Sequence, residues 1–222
     1  MLGIRRGRAR DKGRTALVVT VLLILLMLFV GRLRAQIIDR VLAVVVGEPI
    51  TLSDVTAAMR LGLVPEAAGN EDRTRAVLDA LIERKLQLIE VNRYVPPEPS
   101  DGEIDARIAQ VRARFESQAA LERAMKETGV TPAQLRARVR DDLRIESYRR
   151  QRFGASYQPG EEEVVRYYRS HESDFIRNGV LPPYAEVREE ARKRLVDDRT
   201  ASLVRDWIAG LRRRAAVTIL PK

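Results

Sequence analysis

The side chains with obvious chemical capacity are few. His171 is the only histidine in 222 residues, so paired-histidine acid–base schemes and multi-histidine metal sites are ruled out. It lies in the charged stretch RSHESDF and reads as a solvated helix residue. No cysteine is present, which removes disulfides, thiolate metal ligands and a cysteine nucleophile. The acid pairs Asp141-Asp142, Glu162-Glu163 and Asp197-Asp198 are sequence neighbours, and adjacent residues on a helix do not face one another. They read as solvated or dipole-facing acids, not as a paired-carboxylate site. No phosphate-binding glycine loop before a lysine occurs, and no G-x-S-x-G occurs. The sequence thus names no catalytic residue, no metal ligand and no cofactor. Its remaining candidates are apolar: Met59, Leu61 and Leu63 at the end of one helix, and Met125 on another, as a patch for peptide binding. Ordinary core packing is the competing explanation for all four. The aromatic cluster Tyr148, Phe153, Tyr157, Tyr167 and Tyr168 poses the same choice.

The charge distribution narrows the partners. The net charge of +9 comes from 40 Lys and Arg against 31 Asp and Glu. Up to Ala35 there are eight basic residues and one acid, which leaves 32 basic against 30 acidic in the rest. A near-neutral body lacks the excess that tracks phosphates, so nucleic acid is not an expected partner. The uncharged run TALVVTVLLILLMLFVG, residues 15–31, follows the basic cluster Arg5 to Arg14. That is the pattern of an export signal or of an N-terminal membrane anchor, with the body on the far side of the membrane. Cleavage after Ala35 would put the large Leu33 at position −3, and Arg32 and Arg34 follow the run as they do in an anchor. Both outcomes stay open.

Helices dominate what must position these residues. Ile37 to Val46 is rich in β-branched residues, Gly47-Glu48 signals a turn, and Pro49-Ile50-Thr51 suits a short return strand. Thr51 with Asp54, Ser100 with Glu103 and Thr131 with Gln134 each have capping-box spacing and open helices. Between them, Asp72 to Tyr94 carries Leu78, Leu81, Ile82, Leu86 and Ile89 at helical spacing, and Pro96, Pro97 and Pro99 end it. Gly129 is placed to close a helix over 119–128. The helix from Thr131 reaches about Phe153, with Leu135, Val139, Leu143 and Ile145 near its buried stripe. Glu161 to Glu163 load the first turn of another helix, ending near Phe175. Tyr184 to Ala215 is the longest, with Val187, Ala191, Leu195, Val204, Ile208 and Leu211 on one stripe and Trp207 beside it. A short β-branched run, Ala216 to Leu220, closes the sequence. An isolated hairpin is marginal in water, so this last strand is expected to join the one near Val44.

The order of segments resembles the SurA family of periplasmic chaperones and foldases. IIDRVLAVVVGEPITLSDV is similar to the opening of its N-terminal domain, and TPAQLRARVRDDLRIESYRRQRFG to a later helix of that domain. GEEEVVRYYRSHESDF is similar to the helix that leads into a parvulin-type prolyl isomerase domain. YAEVREEARKRLVDDRTASLVRDWIAGLRRRAAVTIL is similar to the final helix and closing strand. The resemblance implies a mainly α module with a small β element, of the trigger factor/SurA peptide-binding type, closed by pairing of its N- and C-terminal strands. It implies residues 1–35 as leader or anchor, 36–175 as the chaperone domain, 176–183 as a linker, and 184–222 packing back. Only eight residues separate Phe175 from Tyr184, where a folded domain needs roughly 50. The implied function is therefore a chaperone without the isomerase. Its expected partners are unfolded exported or outer-membrane polypeptides, with the inner membrane added if the leader is retained. A membrane-anchored scaffold for one envelope partner is the alternative.

Overall fold

The structure is a computed structural model that describes residues 39–64, 73–154 and 157–221. The leader, including the run 15–31, and residues 65–72, where a loop was expected, lie outside the described residues. Two antiparallel strands, β1 (Val41–Val45) and β2 (Glu48–Thr51), begin the body. Their turn places Val46 at φ 51° and Gly47 at φ 84°, both left-handed, as a tight two-residue hairpin demands. Glycine adopts this freely, whereas a β-branched valine is strained there.

Helix α1 (Leu52–Arg60) starts directly from β2. Thr51 accepts from the Asp54 N–H while the Asp54 carboxylate accepts from the Thr51 N–H, so both donors at the helix end are satisfied. Helices α2 (Arg73–Tyr94), α3 (Asp101–Arg112), α4 (Gln118–Thr128) and α5 (Pro132–Arg149) follow. Ser100 and Thr131 close the predicted capping boxes of α3 and α5, and Gly129 sits at φ 71° beyond α4. Helix α5 stops at Arg149, earlier than its periodicity suggests, and Arg150–Gly154 continues as a π turn that buries Phe153. Helix α6 (Glu161–Ser170) likewise ends before Phe175, which is reached by a single 3-10 turn.

The segment 176–183, expected as a linker, has form of its own. Asn178 (φ 52°) and Gly179 (φ 79°) make a second tight turn, and Arg177 and Val180 bond to each other across it. Helix α7 (Tyr184–Arg214) then runs 31 residues, about 46 Å. Strand β3 (Val217–Ile219) pairs antiparallel with β1, Val44 opposite Thr218, in a sheet of order β2-β1-β3. The expected closure of the two chain ends is thus present, and Asp39–Lys222 clusters as one unit.

Among the described residues, three apolar clusters hold this body. The largest joins β1, β2, α1, α2 and the second half of α7, with Ile82, Val45, Val55 and Val91 sealed inside and Tyr148, Phe153 and Trp207 at one side. The second lies among α1's end, α3, α4 and α5. The third, around Val164, Tyr168, Phe175, Val187 and Ala191, zips α6 to the first half of α7. The single stripe read on α7 is therefore shared. Val187, Ala191 and Leu195 serve the third cluster, while Val204, Trp207, Ile208 and Leu211 serve the first.

Candidate binding groove

An open groove of about 350 Å³ lies where α1, α2 and the α4–α5 junction meet. Its apolar lining comes from Ile50, Ala57, Leu63, Leu81, Val130 and Leu135. A polar wall faces it, made of Arg84 and Lys85 from α2 and Arg138 from α5. The helical spacing of α2 explains the mixture. Leu81 and Leu86 point to the core, and Arg84 and Lys85 fall at the border of the buried stripe.

The polar wall is an ion network. Arg84 Nε donates to Asp142, and its Nη2 donates to the Arg138 carbonyl at 3.2 Å. Arg84 also lies 3.8 Å from Asp141, which Arg144 approaches from the other side. Arg138 Nε donates to the second oxygen of Asp142 at 3.4 Å. Lys85 pairs with Glu48 on the rim. Asp141 and Asp142, read from sequence as solvated, are half-buried acids held between arginines from two helices. Pair spacing along one helix could not reveal a partner 58 residues away. Burial, and then the neighbouring Arg84, hold Arg138 below the ordinary guanidinium value, with Asp142 offsetting part of this.

The four sequence candidates do not form one surface. Leu63 lines the groove and is half-buried. Met59 and Leu61 border a second cleft of about 460 Å³ on the other side of the Leu61–Val64 turn, together with Arg114 and Phe115. Arg114 donates to the Gly62 carbonyl there. Leu61 is 0% exposed, and Met125 is buried beside Leu121, Leu135 and Val139, so both fill the interior of the second cluster. Sequence periodicity separates apolar from polar faces, but it does not say which apolar residue a neighbouring helix will cover.

Two other groups of interest are structural in this fold. Tyr148, Phe153 and Trp207 pack ring against ring in the first cluster, and Tyr168 packs against Phe175 and Tyr184 in the third. His171 is not a freely solvated helix residue. It is half-buried, stacked on Tyr167 at 4.1 Å, with Nδ1 3.0 Å from the Tyr167 carbonyl oxygen. Tyr157, Tyr167 and Leu195 line a shallower cleft on the α6–α7 pair. There the Tyr167 hydroxyl donates to Asp198, and its pKa is pushed up to about 12, first by burial and then by that acceptor. Among the described residues no group of three or more His, Cys, Asp or Glu could hold a metal ion. Among the same residues no helix is long and apolar enough to cross a membrane, and the run 15–31 is not among them.

Comparisons with known proteins agree with this architecture. The profile of the SurA-like N-terminal domain matches residues 1–149, a span that includes β1, β2 and α1 to α5. No curated protein matches the sequence. Among solved structures, a chain from the work on the virulence factor PEB4 and the periplasmic protein Cj1289, two structurally related SurA-like chaperones of Campylobacter jejuni, superposes with a TM-score of 0.53 at 14% identity. The superposition covers 83% of this chain and all of that one, a likeness of fold.

Proposed function

The chain belongs to the family of SurA-like N-terminal domains, and from that premise we propose that it is an extracytoplasmic, periplasmic holdase for unfolded exported proteins. In this reading residues 1–35 deliver or tether it, and residues 36–175 and 184–222 act together as one client-binding body. Clients of the outer-membrane type suit it, because their strands alternate apolar and polar residues and expose long apolar surface before insertion.

The observation that carries the reading is the groove: an open, mixed apolar and cationic surface between α1, α2 and α5, inside the span that matches the family. A holdase needs weak, broad binding, which an open groove with long side chains provides better than a closed pocket. In an enclosed pocket the same residues would select one ligand. The second cleft beside Met59 and Phe115 extends the apolar surface to the other side of the Leu61–Val64 turn. We assign no prolyl isomerase activity to the chain.

The test is light scattering of a denatured β-barrel protein diluted from urea, with and without near-stoichiometric full chain and no nucleotide. Scattering should fall. Equal scattering in both samples would sink the holdase, and capture of a single folded envelope protein in its place would favour an anchored scaffold. In a proline-limited refolding assay the chain should leave the rate constant unchanged.

A further inference from the structure

We propose, building on the holdase reading, that the groove binds the C-terminal residue of a client chain, its side chain against the apolar lining and its α-carboxylate on Arg138 and Lys85.

The charges of the groove are unequal. Arg84, Lys85 and Arg138 line it, with Asp54 as the one acid among the lining residues. That acid is occupied: its Oδ2 accepts from the Thr51 N–H at 2.8 Å and from the Thr51 hydroxyl at 3.0 Å. Arg84 is occupied as well, by Asp142 and the Arg138 carbonyl. Arg138 is the exception. It shares Asp142 with Arg84 and uses only its Nε, at 3.4 Å, and the described residues give its two Nη nitrogens no acceptor. Its side chain is 20% exposed, so the guanidinium is poorly hydrated yet reachable from the groove. Crowding by Arg84 is the second cause of its lowered pKa after burial. An incoming carboxylate answers both deficits, since it supplies two acceptors in the geometry of the guanidinium fork and a compensating charge. Lys85, whose partner Glu48 is exposed on the rim, adds a second cation that can be drawn from a solvent-screened pair.

The size of the groove distinguishes a chain end from an internal acid. About 350 Å³ holds a group of one or two residues. On a C-terminal residue the carboxylate and the side chain leave the same Cα, so one residue fills the cationic and the apolar lining together. In an extended internal segment, neighbouring side chains point to opposite faces. An internal aspartate or glutamate that reached Arg138 would turn its two adjacent side chains away from Leu63 and Leu81, and the next residue on its own face lies about 7 Å further along the strand. The geometry therefore favours a free C-terminus with an apolar last side chain.

Fluorescence anisotropy with the full chain in detergent micelles tests this. Three N-terminally labelled peptides of one sequence are compared: a free acid ending in leucine, its C-terminal amide, and an amide carrying one internal glutamate. The free acid should bind about tenfold tighter than either amide, the ratio expected for one charge-assisted hydrogen-bonded contact. Arg138→Gln should bring the ratio near one, and Lys85→Gln should reduce it. Because the peptide contrast is read first on the unaltered chain, it survives a variant that fails to fold. Equal binding of acid and amide overturns the proposal, and so does equal binding of the acid and the internal-glutamate amide. If either occurs while client scattering is still suppressed, the C-terminal site falls and the holdase stands. If no peptide binds and scattering is unchanged, both fall.

Discussion

The rings of Trp207 and Tyr148 lie 5.6 Å apart at a tilt of 36°, fixing the end of α7 to the end of α5. Phe153 of the π turn meets the same indole at 5.5 Å. Among the described residues the indole N–H meets no acceptor, and the ring contributes through its packing. Trp207→Ala should therefore cost about 3–5 kcal/mol, the range for losing a large aromatic from a core. Urea denaturation followed by far-UV circular dichroism measures it. As the one tryptophan of the chain, Trp207 also reports closure of α7 on the body in the unaltered protein.

Strand β3 supplies the second expectation. The Val46 N–H donates to the Ala216 carbonyl and the Leu220 N–H to the Leu42 carbonyl, both at 2.8–2.9 Å. In an antiparallel ladder these pairs recur every second residue, which makes Thr218, opposite Val44, a hydrogen-bonded position between them. Thr218→Pro removes that donor and should lower stability by about 1–3 kcal/mol. An unaltered denaturation midpoint would mean that the closing strand adds nothing.

The β1–β2 turn contains a correctable strain. Val46 holds φ 51° while 51% exposed, whereas the second tight turn places Asn178 at the equivalent position. Asparagine tolerates left-handed backbone and valine does not. Val46→Asn should stabilise the body by about 1 kcal/mol. A lower melting temperature in differential scanning calorimetry would contradict this.

Glu161 gives a pH signature. Its carboxylate accepts from Arg188 and from the Tyr184 hydroxyl, and it also pairs with Arg192, which hold its pKa down to about 2 in the folded chain. Because the folded value lies below the unfolded one of about 4.5, the stabilisation is complete above about 4.5 and is lost as pH falls toward 2. Protection of α6 amides from hydrogen exchange should decline over that window. Glu161→Gln should show weaker protection already at neutral pH and no such decline.

Interior and groove residues should separate in their effects. Met125→Ala opens a cavity in the second cluster and should cost about 2–5 kcal/mol of stability. At equal folded concentration it should leave client affinity intact. Leu63→Ala should behave oppositely, with a small change in melting temperature and weaker suppression of client scattering.

How much of this was legible follows a physical line. Signals within one turn of helix read correctly, because Thr51, Ser100 and Thr131 cap their own next residues whatever the tertiary context. The strand pairing of β1 and β3 was reachable from the sequence, since an isolated hairpin is marginal in water and a third strand was on offer at 216–220. Relations between helices were not legible. Nothing along α5 marks Asp142 as a partner of Arg84, and nothing in the stretch after Met59 distinguishes sealed Leu61 from half-exposed Leu63, both of which lie in the turn beyond α1. The second tight turn could have been found, because Asn178-Gly179 is the dipeptide that such turns prefer.

The order β2-β1-β3 has a temporal meaning. Strand β1 gains one neighbour within a few residues of its own synthesis, but the other is encoded after the described helices α1 to α7. Until those residues have emerged, one side of a strand that includes the sealed Ala43 and Val45 stays uncovered. A protein whose proposed task is to shelter others' incomplete chains must therefore pass through such a stage itself. The sheet is completed only once residues 217–219 have been made, and a stop before them would leave β1 with an unpaired, adhesive edge.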